Sequence, residues 1–186
     1  MSDVDSVIPD IVKAIHSKPE KAVVVVTGAG ISALGWLFDQ GGASRTILEG
    51  RVPYSISALN EFVGVDAETH VSRDEAIKMA DSAYERALHL RADDDDSPVI
   101  GVSCTATIAT DYEKRGTHRV SCALRTATRR TDFSIEFDKG ARDRVGEEDV
   151  VSRLVLNVVA LGNGVVSTLN PGLLPGENLN VTDERI

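Results

Sequence analysis

A run of apolar, largely β-branched residues that ends in a glycine turn constrains the fold of this chain more than any other feature. The run covers residues 21–26. It is too short for a helix and is typical of a strand buried on both faces. Thr27-Gly28-Ala29-Gly30 follows it, and an apolar helix is expected over residues 32–38. A buried strand that passes through a glycine turn into a helix indicates an α/β fold.

The remaining segments predict helices on both faces of a mixed sheet. Apolar residues at spacings of three and four predict a helix over residues 6–16. Ser72 and Glu75 form a capping box, which opens a helix with a narrow apolar stripe of Ala76, Met79, Ala80, Ala83, Ala87 and Leu90. A second buried strand is expected over residues 98–104. The acids Glu147, Glu148 and Asp149 open a last apolar helix, where they suit the helix dipole.

Strict alternation over residues 118–137 predicts an antiparallel hairpin within that sheet. A loop near residues 127–130 would bring Leu124 opposite Phe133 and Arg125 opposite Asp132. The whole pattern predicts a three-layer α/β/α domain over residues 1–168. Residues 169–186, rich in Pro, Gly and Asn, are expected to be a flexible tail.

Charge and composition exclude several classes of protein. The 186 residues carry a formal charge of −9, from 29 acids and 20 bases. Such a surface repels nucleic acids and anionic membranes at long range, although it leaves room for a small anion in a local basic pocket. No apolar stretch reaches the length of a membrane helix, and no signal pattern opens the chain, so we expect a cytoplasmic protein. Cys104 and Cys122 are expected to be reduced core residues, and no metal site or cofactor is expected.

The glycine turn is the first candidate site. Its unpaired N–H groups lie at the positive end of a helix dipole, so Gly28, Ala29 and Gly30 are candidates for binding a phosphate or carboxylate. Thr27 ends its strand where the ligands of open α/β sheets gather. Thr105 and Thr107 hold the matching place after the second buried strand. The alternative is that the glycines only allow a tight turn and close packing.

Two further segments could complete such a pocket. Lys114 and Arg115 belong to a stretch without acids between residues 114 and 131, in an otherwise acidic chain. They follow the Thr105 turn closely enough to contact a ligand there, although a solvated loop explains them equally well. Tyr54-Ser55 lies between the two glycine-marked segments, and a tyrosine in such a turn is more often a packing anchor than a functional residue.

Several short motifs follow one another in order over residues 20–160. They are Gly41-Gly42-Ala43-Ser44, Tyr54-Ser55, Phe62-Val63-Gly64-Val65, Val71-Ser72 with Ala76 and Met79-Ala80, and Thr105-Ala106-Thr107. In order and spacing they resemble the C-terminal domain of the CinA family (competence/damage-inducible proteins), and the resemblance is greater to the eukaryotic members. It implies a CinA-like fold, self-association into a homo-oligomer, and a link to the hydrolysis of the amide of nicotinamide mononucleotide.

The departures from the family pattern bear on activity. The family's nucleophilic serine falls on Thr27, the preceding glutamate on Val26, and the activating lysine on Leu59. An amidase of this type needs a base for its hydroxyl, and leucine cannot accept a proton.

Three hypotheses follow from these departures. The leading one is a CinA-like domain that binds a nucleotide or phosphorylated metabolite without the standard amidase machinery. The second is a nicotinamide-nucleotide amidase with Thr27 as nucleophile and Tyr54 or another group as base. The third is a non-catalytic oligomeric scaffold.

Overall fold

Six helices and six strands form the part of the chain that the structure describes. The computed structural model describes residues 4–65, 69–112, 115–167 and 169–186. The helices are α1 (Val4–His16), α2 (Ile31–Asp39), α3 (Ala43–Thr46), α4 (Ile56–Val63), α5 (Arg73–Leu90) and α6 (Arg144–Gly162). The strands are β1 (Lys21–Thr27), β2 (Ile47–Arg51), β3 (Val99–Thr107), β4 (Arg119–Arg125), β5 (Arg129–Glu136) and β6 (Asn180–Arg185).

The strands form one mixed sheet in the order β2-β1-β3-β4-β5-β6. β1 pairs in parallel with both β2 and β3, whereas β4, β5 and β6 continue the sheet in antiparallel pairs. The carboxyl ends of β1, β2 and β3 therefore lie at the same edge of the sheet. The predicted α/β class with a mixed sheet is confirmed.

The two faces of β1 explain the three layers. Val24 and Val26 belong to the core that α1, α2 and α6 cover, while Val23 and Val25 pack with α4 and α5. All four valines are fully buried, as expected of a strand with helices on both faces. Among the helices of the described ranges, none is both long enough and apolar enough to cross a bilayer.

The packing of α5 on β3 depends on small residues. Ser72 caps the helix by accepting the Glu75 N–H. The predicted apolar stripe is buried from Ala76 to Ala87, and Leu90 is half-buried. Gly101 lies where a Cβ atom would overlap the backbone of Ala80 and Tyr84. The helix therefore approaches the strand more closely than a larger residue at position 101 would allow. The predicted capped helix is confirmed.

The hairpin of β4 and β5 forms, but its register differs from the expected one by two residues. Phe133 lies opposite Cys122, and Arg125 lies opposite Arg130. The loop is tighter than expected, because the Thr126 N–H already donates to the Arg129 carbonyl at 2.9 Å. A shift of two residues keeps each side chain on its predicted face. Asp132 therefore pairs with Arg73 of α5, at 2.7 Å, instead of with Arg125.

The C-terminal segment differs from the loose tail expected of it. Asn180–Arg185 forms β6 and pairs along β5. Before it, Glu177 forms a buried ion pair with Arg142 at 2.6 Å. Every residue of β6 is exposed, so the strand lacks the alternation of apolar and polar residues by which a sequence reveals a strand.

Candidate functional site

A pocket of about 160 Å³ opens at the carboxyl ends of β1 and β3, beside the start of α4. This is the edge of an open α/β sheet at which ligands usually bind. The pocket combines hydroxyl, backbone and aliphatic surfaces. Its lining consists of Thr27, Gly28, Tyr54, Ser55, Ile56, Leu59, His70, Val71, Thr105 and Ala106.

Three hydroxyl groups of the lining hold the surrounding loops in place. Thr27 Oγ1 donates to the Pro53 carbonyl at 2.9 Å, and Thr105 Oγ1 donates to the His70 carbonyl at 2.5 Å. Ser55 Oγ caps α4 by accepting the Ala58 N–H at 3.2 Å. The threonine oxygens keep lone pairs that can accept a hydrogen bond from a ligand. The hydroxyl protons of both threonines are already donated to the protein.

Tyr54 lies at the rim of the pocket and is 62% exposed. Its hydroxyl accepts a hydrogen bond from Arg144 at the start of α6, at 3.3 Å. The same guanidinium donates to the carbonyl of Ala109, in the loop after β3, at 2.9 Å. A second arginine, Arg119, donates to the carbonyl of the lining residue Val71 at 2.8 Å. Two guanidinium groups therefore contact residues of the pocket lining.

The glycine turn has a packing role at Gly28. This residue has a φ of 82°, and a Cβ atom here would overlap the carbonyl oxygen of Ala106. The turn therefore lies against the end of β3, which only glycine permits. Gly28 also lines the pocket, so the close packing and the pocket share one backbone segment.

The N–H groups at the start of α2 are directed at a carboxylate of the protein itself. Gly30 N donates to Glu148 Oε2 at 2.8 Å, and Ser32 N donates to Glu148 Oε1 at 3.1 Å. Ser152 Oγ adds a third hydrogen bond to Oε1 at 3.0 Å. A carboxylate is the group that a helix N-terminus favours. In this structure α6 supplies it.

The neighbouring glutamate of α6 holds the loop after β3. Glu147 is completely buried. Its Oε2 accepts the Ala109 N–H at 2.7 Å, and its Oε1 lies 2.8 Å from His118 Nδ1. Glu148 and Glu147, which the sequence indicates only as partners of the helix dipole, therefore fix the glycine turn after β1 and the loop after β3. Sequence reasoning missed this, because nothing in the chain indicates where these side chains reach.

The predicted site residues fall into two groups. The structure brings Thr27, Gly28, Tyr54, Ser55 and Thr105 together in the pocket lining. Ala29 is buried in the core, Gly30 contacts Glu148, Thr107 lies half-buried at the end of β3, and Arg115 is exposed. None of these four belongs to the lining as far as the described residues define it. Lys114 lies outside the described residues.

Leu59 and His70 contribute an aliphatic and an imidazole side chain to the pocket wall. Leu59 is 3% exposed and packs with Val25 and Met79, so one wall is aliphatic. His70 was missed by sequence reasoning, although it directly precedes the Val71-Ser72 motif. Its imidazole is a polar ring among the described lining residues. Within the described ranges, no cluster of three or more His, Cys, Asp or Glu side chains could hold a metal ion.

Comparison with solved structures identifies the fold. No protein-family model matches the chain, and no curated protein matches it by sequence. The competence/damage-inducible protein CihA of Agrobacterium tumefaciens superposes with a TM-score of 0.62 over 88% of this chain and 97% of its own, at 20% identity. The chain has the CinA fold. This confirms, at the level of the fold, the resemblance that the motifs suggested.

Two further CinA-type structures support the same assignment. A CinA superfamily protein of Escherichia coli has a TM-score of 0.58 at 16% identity, over 87% of this chain and 91% of its own. The competence damage-inducible protein A of Klebsiella pneumoniae has a TM-score of 0.59 at 16% identity, over 86% and 96%. These CinA structures match nearly their full length, so the common unit is the whole α/β domain.

Proposed function

We propose that this CinA-like domain binds a nucleotide or a phosphorylated metabolite in the pocket at the ends of β1 and β3, without the standard amidase machinery. The observation that carries the proposal is the combination of a hydroxyl-lined pocket with an arginine rim. Thr27, Ser55 and Thr105 offer oxygen acceptors inside, and Arg144 and Arg119 donate hydrogen bonds to the lining residues Tyr54 and Val71. A neutral ring with polar substituents fits the interior, and a phosphate suits the rim.

The size of the pocket favours partial burial of such a ligand. About 160 Å³ corresponds to roughly five water molecules of bulk volume, which suits a single ring such as nicotinamide. The ribose and phosphate would then lie outside, towards the guanidinium groups. The α2 N-terminus is not the proposed phosphate site, because the Glu148 carboxylate already accepts the N–H groups of Gly30 and Ser32.

The wall at Leu59 argues against the family's amidase chemistry. By the motif resemblance this residue stands at the place of the activating lysine, and here it is a buried aliphatic side chain. Thr27 Oγ1 donates its proton to a backbone carbonyl, which cannot act as a general base at neutral pH. The hydroxyl therefore serves the proposed pocket as a fixed acceptor.

Nicotinamide mononucleotide is the first ligand to test, by calorimetry and by a melting scan. We expect binding, and weaker binding of the riboside that lacks the phosphate. Arg144→Gln should remove most of the difference between nucleotide and riboside, whereas Arg185→Gln, on the distant β6, should not. Failure of the nucleotide to bind would reject this ligand. Ammonia release that is lost in Thr27→Ala would establish the amidase alternative, with Thr27 as nucleophile and Tyr54 or another group as base.

We also propose a cytoplasmic homo-oligomer, as the motif resemblance implies. Four apolar side chains of α6, the segment after it and the C-terminal segment are exposed: Leu161, Val166, Leu179 and Val181. The first three line one groove. Val166 is 91% exposed, so Val166→Glu should leave the fold intact and dissociate an assembly that uses this surface. Sedimentation of the wild type and this variant tests the proposal. A monomeric wild type would overturn it.

A further inference from the structure

His70 occupies a fixed position in the wall of the pocket. Its carbonyl accepts the hydrogen bond of Thr105 at 2.5 Å, and the next carbonyl, that of Val71, accepts one from Arg119 at 2.8 Å. Ser72 then caps α5. The backbone that carries His70 is therefore tied to β3, β4 and α5 in turn. A side chain on such a backbone can contact a ligand with a defined geometry.

One side of the imidazole faces the protein without a partner. His70 Nδ1 and Glu75 Oε1 are both buried, and neither has a hydrogen-bond partner among the described residues. Glu75 belongs to the first turn of α5 and is 2% exposed. Two buried polar atoms in one neighbourhood without hydrogen bonds are uncommon, and they often mark a site that is completed in another state.

The electrostatics link the two residues. Burial raises the pKa of the Glu75 carboxyl above its ordinary value, while the positive charges of Lys78 and His70 act in the opposite direction. A charged imidazole at position 70 therefore stabilises the ionised Glu75, and the ionised carboxylate in turn stabilises a charged imidazole. An anion bound in the pocket would add a second negative charge beside the imidazole.

We propose that His70 takes up a proton when the pocket binds a phosphorylated ligand, with Glu75 as the positioning carboxylate. This rests on the proposed function. A neutral imidazole has one N–H donor, and a protonated one has two. One donor would then serve Glu75, and the other would face the anion in the pocket. His70 is thus the ligand-contacting group that makes binding depend on pH.

The groups around the imidazole set the direction of this dependence. Glu75 favours the protonated state, and the positive side chains oppose it until an anion is bound. The side chains that β3 and α4 contribute to the described pocket lining, among them Thr105, Ile56 and Leu59, do not ionise. Among the described residues, the ionisable groups that contact the pocket lining or act on Glu75 are Lys78 on α5, Arg119 on β4, Tyr54 after β2, and Arg144 on α6, besides Glu75 itself.

Calorimetric titration with nicotinamide mononucleotide at about pH 6.5 and about pH 8, in two buffers of different ionisation enthalpy, tests the proposal. The wild type should bind up to about thirtyfold more tightly at the lower pH, with net proton uptake. Binding that is coupled to the uptake of one proton strengthens at most about tenfold for each pH unit, and the two conditions differ by about 1.5 units. His70→Gln should lose this gain. Because the phosphate itself loses charge near pH 6, the slope of this variant should be flat or reversed.

Two further variants separate a specific role from a structural one. His89→Gln, at the exposed end of α5, should keep the full pH dependence. Glu75→Gln should reduce the dependence while binding at the higher pH persists. An unchanged pH dependence in His70→Gln would overturn the role of His70 and leave the pocket standing. Absence of binding to the wild type at both pH values would overturn the proposed function, and this inference with it.

Discussion

The backbone N–H of Gly30 donates to Oε2 of Glu148 at 2.8 Å, so α6 provides the negative charge for the N-terminus of α2. The second carboxylate oxygen accepts from Ser32 N and from Ser152 Oγ. A helix N-terminus in this position often binds an anionic ligand. Here the preference of a helix N-terminus for negative charge joins α2 to α6. The pocket lies on the other side of the glycine turn.

Replacing Glu148 should therefore weaken the fold. Glu148→Ala leaves the N–H of the buried Gly30 without its charged acceptor, which should lower the free energy of unfolding by about 1–3 kcal/mol. Urea unfolding measures this, with Glu61→Gln on the exposed face of α4 as the control. Inorganic sulfate should also raise the melting temperature of Glu148→Ala more than that of the wild type. An equal effect of sulfate on both proteins would show that the N-terminus does not bind an anion in place of Glu148.

How much of the fold is predictable from the sequence depends on the burial of each element. β1, with its continuous run of valines, and α5, with its capped alanine stripe, are buried and carry strong patterns, so their positions are predicted correctly. β2 (Ile47–Arg51) and β6 lie at the edges of the sheet. An edge strand is only partly covered, so its sequence carries little alternation, and the pattern predicts neither strand. The two-residue error in the hairpin arose in a turn whose length the side-chain pattern does not specify.

The two glycines at positions 28 and 35 should respond oppositely to alanine. Gly28 has a φ of 82°, and a Cβ atom would overlap the Ala106 carbonyl, so Gly28→Ala should destabilise the protein by more than about 3 kcal/mol. Gly35 lies inside α2 with open space around it. Gly35→Ala should stabilise by about 0.5–1 kcal/mol. Thermal unfolding of both variants tests this, and similar effects in both would contradict the packing role of Gly28.

For the site, the sequence indicates the strand ends but not what faces them. Thr27 and Thr105 share a pocket because parallel strands end at a common edge, which the pattern of buried strands already implies. Tyr54 and Ser55 reach the same pocket after β2, an edge strand that the pattern does not predict. The contacts of Glu148 and the presence of His70 depend on long-range geometry. Glu148 is 118 positions from Gly30 along the chain, and no local spacing links residues so far apart.

Restoring a lysine at position 59 should not restore an amidase. Leu59 is 3% exposed and packed against Val25 and Met79, so Leu59→Lys places a charge in an apolar contact. We expect a loss of stability of about 2–5 kcal/mol and no ammonia release from nicotinamide mononucleotide. Leu59→Met, which keeps the volume, should cost less than about 1.5 kcal/mol. A stable, active lysine variant would instead mean that the pocket retains the other parts of an amidase.

The ion pair of Glu177 and Arg142 should make the fold sensitive to acid. The Arg142 side chain lowers the pKa of Glu177 from 4.5 to about 2, and the N–H groups of Leu174 and Asp138 act in the same direction. Because the folded-state pKa lies below the unfolded one, this stabilisation is fully present above about pH 4.5 and is lost as the pH falls towards 2. Its upper bound is about 3 kcal/mol. Urea unfolding as a function of pH should show this loss in the wild type.

Two variants separate the charge of Glu177 from the packing around it. Glu177→Gln should be less stable than the wild type at neutral pH. The two should converge as the pH falls through about 2, because the wild-type carboxyl then becomes protonated in the folded state as well. Glu85→Gln, exposed on α5, should follow the wild type throughout. A constant difference between wild type and Glu177→Gln across this range would show that packing of the C-terminal segment, and not the charge of Glu177, holds it against α6.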